Sequence, residues 1–273
     1  MIGHALDRVD GPLKVTGPAI YAYEHPDADQ PLYGYIVGAT IGNGRITRID
    51  TSRAQRSPGV HLVMTHHNAP AQGAPDASVP IEYFRAFPAL TGPDIHHYGE
   101  PVALVVAAGF EQARAGAALV DLDYAGEPGC HDFAAGQQPA YTPQSLAFGL
   151  RPDTAVGDFA AGYQTAPVRI DQRYTTPYQF SQPMEPHACL AVPRGDELIL
   201  HVSTQIVSAA RASIASTLQI DPERIHIVAP YVGGGFGSKL RIHYETILAA
   251  FAARALDRPV KVTLTRQQIF HLT

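Results

Sequence analysis

Pro101-Val102-Ala103-Leu104-Val105-Val106-Ala107 is a short apolar run crowded with β-branched residues, and it reads as a buried strand. Glu111 to Leu119 follows, with Ala at 113, 117 and 118 and no Gly before 116, the composition of a short helix. Val120-Asp121-Leu122-Asp123-Tyr124 then alternates in polarity as a half-buried strand does. Upstream, Tyr33 to Ile41 reads as a buried strand between Pro31 and the turn signal Gly42-Asn43-Gly44, and Val60 to Thr65 reads as another. The order is β-β-β-α-β, so residues 1–125 are expected to form an α/β module.

Downstream, residues 126–166 are rich in Gly, Pro, Ala and Gln with few periodic apolar positions, and we read them as a surface linker. From 167 to 273 the chain resumes with expected strands at Val168–Tyr174, Ala188–Val192, Leu198–Ser203, Ile225–Ala229 and Val260–Leu264. Helices are expected at about Ser208–Leu218 and His243–Leu256, the latter with Ile247, Leu248, Phe251 and Leu256 at helical spacing. The expected class is therefore α/β (α+β) in two modules.

Composition excludes several functions. Of 273 residues, 45% are hydrophobic and 16% charged, with 24 Gly and 23 Pro, which describes a turn-rich globular chain with ample core. Twenty Lys and Arg against 25 Asp and Glu give a net charge of −5 without a basic run, which disfavours a nucleic-acid partner. No apolar stretch reaches the ~18 residues of a membrane span, and the opening Met-Ile-Gly-His lacks the pattern of an export signal. Cys130 and Cys189 cannot supply a four-cysteine metal or iron–sulfur site, and two reduced thiols are the expected state.

The sharpest chemical feature is Tyr231-Val232-Gly233-Gly234-Gly235-Phe236-Gly237-Ser238-Lys239-Leu240, set between a strand and a helix. Four glycines in five residues let the backbone bring N–H groups close to an anion, and a following helix N-terminus would add partial positive charge. The loop matches neither a Walker motif nor G-x-G-x-x-G. An anion cradle and a tight turn that binds nothing both remain open at this level. In Gln182-Pro183-Met184-Glu185-Pro186-His187 two prolines fix where Glu185 points; a paired or solvated loop carboxylate is the simpler account. The pairs His66-His67 and His96-His97 offer one ring per strand face and read as surface histidines. His243-Tyr244-Glu245 lacks the Pro-Cys-x-x-Cys of a zinc deaminase, and no Gly-x-Ser-x-Gly elbow occurs.

Taken together, these segments resemble the molybdenum-binding subunit of the xanthine dehydrogenase and aldehyde oxidase family, along almost the whole chain. The resemblance is carried by Arg8-Val9-Asp10-Gly11-Pro12-Leu13-Lys14-Val15-Thr16-Gly17 with Tyr21, by Tyr98-Gly99-Glu100-Pro101-Val102-Ala103, by Pro183-Met184-Glu185-Pro186, Ser203-Thr204-Gln205, Gly233 to Lys239 and Arg258-Pro259-Val260-Lys261, in the family's order. Bacterial aldehyde-oxidising members look most similar. The resemblance implies an N-terminal hammerhead domain over 1–125, a linker over 126–166 and the first part of a molybdopterin-binding domain over 167–273. It implies a molybdenum–molybdopterin cofactor in its cytosine dinucleotide form, with iron–sulfur and FAD-binding partner subunits. By position, Gln205 would hydrogen-bond the oxo ligand on molybdenum. Gly233, Gly234, Gly235, Phe236, Gly237, Ser238 and Lys239 would hold the cofactor, chiefly through backbone groups around Phe236 and Gly237, and Glu185 would support the substrate pocket.

Leu240 stands where purine-oxidising relatives carry Glu, so an aldehyde substrate is expected in place of a purine. The family's general-base Glu, in a Gly-Glu motif, is expected beyond Thr273, in a C-terminal part of the same subunit. On that ground the chain is expected to be a truncated or split subunit, inactive alone, with a non-catalytic scaffold or a nucleotide-binding module as the competing outcomes. A cytoplasmic location is expected unless a partner carries it to the periplasm.

Overall fold

The computed structural model describes residues 2–26, 28–73, 85–129, 131–137, 141–146 and 149–273. Helix α1 (Gly11–Thr16) leads into β1 (Leu32–Gly38), β2 (Gly44–Asp50), the single turn α2 (Ser52–Gln55) and β3 (Val60–Thr65). The two-residue β4 (Asp94–Ile95), β5 (Pro101–Ala107), α3 (Phe110–Ala117) and β6 (Asp121–Gly126) follow. After α4 (Phe159–Thr165) come β7 (Ala188–Arg194), β8 (Glu197–Val202), α5 (Val207–Leu218), β9 (Ile225–Val228), α6 (Tyr244–Leu256), β10 (Val260–Thr263) and α7 (Arg266–Leu272).

Among the described residues, seven strands form one sheet in the order β3-β5-β1-β10-β7-β8-β9, and β4-β2-β6 form a second. The large sheet draws strands from both halves of the sequence, joined where β1 pairs in parallel with β10, Leu32 opposite Val260 and Gly34 opposite Val262. Gly34 is required there, because a Cβ would lie 2.7 Å from a Val262 methyl. β5 is buried at all seven positions. Leu104 and Val106 face the main core, whereas Val105 packs with Val63, Ala54 and Ala117 on the other side. A strand covered on both faces has no polar face to show, and this accounts for its unbroken apolar run. Helix α6 is buried from Tyr244 to Ala253, with no wet stripe over that length. It stops at Asp257, whose φ of 48° puts the C-cap in the left-handed region just before Pro259.

Several expectations need correction. Val168–Tyr174 forms no strand: Val168, Ile170 and Tyr174 are exposed and pair with nothing in either sheet. Residues 126–166 include α4, whose N-cap Asp158 accepts from the Ala161 N–H at 3.0 Å. Gly42-Asn43-Gly44 turns the chain, but into a different sheet, since β2 pairs with β4 and β6. Thr265 opens α7 with a full capping box to Gln268, a helix not anticipated. Cys189 is free and buried, while Cys130 lies outside the described residues. No described helix is long and apolar enough to cross a membrane.

Register gathers the loops of interest. β7 starts opposite the end of β8, with Cys189 facing Val202, and β9 runs parallel to β8. β10 ends beside the start of β7, with Thr263 opposite Ala188. Residues 183–187, 203–205, 229–243 and 264–265 therefore all emerge at one end of the sheet.

Candidate functional site

The glycine loop leaves β9 and closes as turns over residues 236–239, several residues before α6 begins at Tyr244. The helix N-terminus is thus not the wall of the loop, contrary to expectation. Gly234 (φ 93°), Phe236 (φ 53°) and Gly237 (φ 91°) take left-handed backbone, and Phe236 holds its ring in solvent at 76% exposure. Ser238 N–H and Oγ–H both donate to the Gly235 carbonyl, at 2.9 and 2.8 Å, and Leu240 N–H donates to the Gly237 carbonyl at 3.3 Å. Among the described residues no protein group accepts from the N–H groups of Gly234, Gly235, Phe236 or Gly237. Four successive unengaged donors on a turn fit a ligand rich in oxygen acceptors.

Gln205 sits against this cradle. A Cβ on Gly235 would lie 2.3 Å from Gln205 Oε1, so only glycine admits the amide there. The Lys239 N–H donates to Gln205 Oε1 at 3.3 Å, and the Gln205 N–H returns a bond to the Lys239 carbonyl at 2.8 Å. A backbone N–H can only donate, so Oε1 must be the atom facing it. The Gln205 NH2 group is left outward as an uncharged donor.

Glu185 and Lys239 brace the loop from below. Glu185 Oε2 accepts from the Gly233 N–H at 2.7 Å and from Lys239 Nζ at 2.8 Å, and Lys239 Nζ also donates to the Glu185 carbonyl at 2.9 Å. The Glu185 N–H donates to the Gly233 carbonyl at 3.1 Å. Lys239 is wholly buried and the Glu185 side chain is 9% exposed. Burial pushes the Lys239 ammonium pKa down, opposed by Glu185. The lysine side chain is therefore an internal strut and does not reach a ligand. Glu185 turns away from the exposed face of the loop, although with Gly233, Tyr21, Tyr23 and Met184 it borders a cavity of about 470 Å³. The Arg266 guanidinium donates to the carbonyls of Pro183 and Met184, fastening the same turn to α7. Leu240 is half-buried at the loop's far end.

Two histidines meet the Ser238 carbonyl from beneath: His187 Nε2 at 3.3 Å and His243 Nε2 at 2.6 Å. Burial drives the His187 pKa down to about 3, so its ring is neutral. Neither histidine stood out in the sequence as a partner of the loop. Their pattern, a ring 51 or 5 residues from a carbonyl, leaves no local signal. Glu245 is buried beside them, and burial raises its pKa. No described cluster of three or more His, Cys, Asp or Glu could hold a metal ion directly, and the paired histidines at 66–67 and 96–97 join none.

A family model for the aldehyde oxidase and xanthine dehydrogenase a/b hammerhead domain matches residues 16–128, and one for the molybdopterin cofactor-binding domain matches residues 140–273. The chain belongs to the aldehyde oxidase and xanthine dehydrogenase family. It is 46% identical, over 98% of its length, to the aldehyde oxidoreductase molybdenum-binding subunit PaoC of Escherichia coli (strain K12), covering 35% of that protein. The aldehyde oxidoreductase of Desulfovibrio gigas superposes with a TM-score of 0.78 at 25% identity, over 97% of this chain and 30% of that one. Quinoline 2-oxidoreductase from Pseudomonas putida 86 shares the fold, with a TM-score of 0.80 at 24% identity over 98% and 35%. The chain thus spans about a third of the length of the relatives it matches. As a member of this family it carries a hammerhead and a molybdopterin-binding segment, the two kinds expected from the sequence, and the unengaged N–H groups of its glycine loop fit the oxygen-rich cofactor for which the second family model is named.

Proposed function

We propose that this chain supplies the cofactor cradle of a molybdenum hydroxylase that oxidises aldehydes to carboxylic acids with water as the oxygen source. The observation that carries the reading is the run of four N–H donors at Gly234–Gly237 beside the outward NH2 of Gln205. The molybdenum–molybdopterin group, in its cytosine dinucleotide form, supplies the two-electron oxidation when bound, and electrons leave to iron–sulfur and FAD-binding partner subunits. This chain's residues bind and orient. Each backbone N–H to a charged oxygen contributes about 1.5–3 kcal/mol, so several suffice for a pyrophosphate or oxo group without a lysine clamp. Gln205 adds a donor with no charge to desolvate. Glu185 and Lys239 keep the cradle open, and Leu240 leaves its side of the site apolar. Among the described residues the carboxylate bonded to the loop, Glu185, engages Gly233 and Lys239 through Oε2 and keeps Oε1 buried without a hydrogen-bond partner, so the reading on substrate rests on Leu240, whose side chain cannot polarise a heterocycle. That favours an aldehyde over a purine.

The test is molybdenum and cytidine-nucleotide content of the full chain purified from a cell that makes the cofactor. Wild type is expected to retain both, and Gly235→Ala, which displaces Gln205 without requiring positive φ, is expected to lose most of them. Equal retention by the variant, or no cytidine nucleotide in wild type, would overturn the assignment. In the complete enzyme, aromatic aldehydes should be turned over in preference to xanthine.

A further inference from the structure

We infer that His243 is an imidazolium whose two ring protons tie the glycine loop to the end of α7, making it a positioning residue for the cradle. His243 Nε2 lies 2.6 Å from the Ser238 carbonyl and Nδ1 lies 2.9 Å from the Leu272 carbonyl, in a ring only 5% exposed. A carbonyl oxygen accepts and cannot donate, so each ring nitrogen must carry a hydrogen. A neutral imidazole has one such hydrogen. His187 provides the contrast: Nε2 approaches the same Ser238 carbonyl, while its Nδ1 is buried with no hydrogen-bond partner among the described residues, so a single proton satisfies the geometry. The two rings meet edge to face at 4.9 Å, an arrangement in which one cation is tolerable and two are not.

The charged groups around the ring accommodate this. Glu245 lies in the first turn of α6 with Oε2 buried and without a hydrogen-bond partner, while Lys239 and Glu185 neutralise each other, Arg266 serves main-chain carbonyls, and Arg241, a like charge, lays its guanidinium on the Phe87 ring that packs 5.4 Å from His243. A cation at the N-cap of α6 opposes the helix dipole, and the two carbonyls with Glu245 offset that cost. The consequence for the cradle is mechanical. The Ser238 carbonyl is fixed from below, so the four N–H groups preceding it are held in place before any ligand arrives. The value of that ordering rests on the proposed cofactor function; the protonation state does not.

Long-range proton–nitrogen correlation on the full chain, labelled with nitrogen-15 in histidine and assigned through bonds, reads the state directly at pH 7. Both His243 ring nitrogens are expected in the protonated range, whereas His187 shows one protonated and one bare nitrogen. A bare nitrogen on His243 would overturn the inference. His243→Gln, which serves one carbonyl at a time, is expected to speed exchange of the hydrogen-bonded amides of Gly233, Ser238, Lys239 and Leu240 about tenfold, the loss of one charge-assisted bond, with β5 unchanged. Unaltered exchange there would overturn the positioning role. A doubly protonated His243 in a chain that retains no molybdenum would count against the cofactor reading alone.

Discussion

Removing the ammonium of Lys239 separates a strut from a ligand clamp. In Lys239→Met the Glu185 carboxylate stays 9% exposed and keeps the Gly233 N–H at 2.7 Å as its donor, having lost Nζ at 2.8 Å. The Glu185 carbonyl loses its 2.9 Å donor as well. Breaking one side of a buried pair leaves an uncompensated charge and typically costs about 3–5 kcal/mol. Glu185→Gln in the same background removes that charge while an amide oxygen still accepts from Gly233, so the double variant is expected to lose only about 1–2 kcal/mol. The two changes should therefore be strongly non-additive, with a coupling of about 2 kcal/mol or more. Urea titration of wild type, both single variants and the double variant measures this through the midpoint at constant slope. If Lys239→Met costs less than about 1 kcal/mol, or the double variant is no more stable than Lys239→Met, the strut is refuted. A lysine whose task was to clamp a phosphate would give that result, with stability near wild type and loss confined to binding.

Gly34→Ala tests the junction of the sheet: its Cβ would stand 2.7 Å from Val262 and 3.1 Å from Leu104, and overpacking of this kind costs about 1–3 kcal/mol, visible as a lower urea midpoint. His187, with its pKa lowered to about 3 from an unfolded value near 6.5, binds its proton more readily in the unfolded chain. Its contribution is complete above pH 6.5 and is lost as pH falls toward 3, about 2 kcal/mol of it between pH 6.5 and 5. The stability–pH slope over that interval should flatten in His187→Gln, and an unchanged slope would contradict the assignment.

The strands most legible in the sequence were those buried on both faces, such as Val102 to Ala107, because their composition has one explanation. β2 was not seen because its burial is confined to Ile46, and a Gly-Arg-Ile-Thr-Arg-Ile-Asp run looks like any solvated segment. Val168 to Tyr174 shows the opposite error: alternation of apolar residues suggests a strand, but a strand also needs an edge to pair with, which periodicity cannot supply. The capping box at Thr265 and Gln268 is a local pattern, legible from the four residues Thr-Arg-Gln-Gln. At the site, the glycine cluster stands out in the chain alone, whereas Gln205 is singled out only by the family resemblance. The Glu185–Lys239 strut does not stand out, since its ends lie 54 residues apart and a lysine beside glycines suggests an anion before it suggests a buried carboxylate.

The parallel pairing of β1 with β10 also sets a schedule for folding. β1 can pair with β5 once residue 107 is made, but its other edge, Leu32 to Gly34, waits for Val260 to Val262. At about 5–20 residues per second, the 225 residues between Gly34 and Val260 take roughly 10–50 s to synthesise. Throughout that interval the nascent chain presents a short apolar strand with an unsatisfied edge, the geometry to which other strands add. Yield in the cell should accordingly depend on translation speed and on chaperones that shield extended segments, more than the finished protein's stability would suggest.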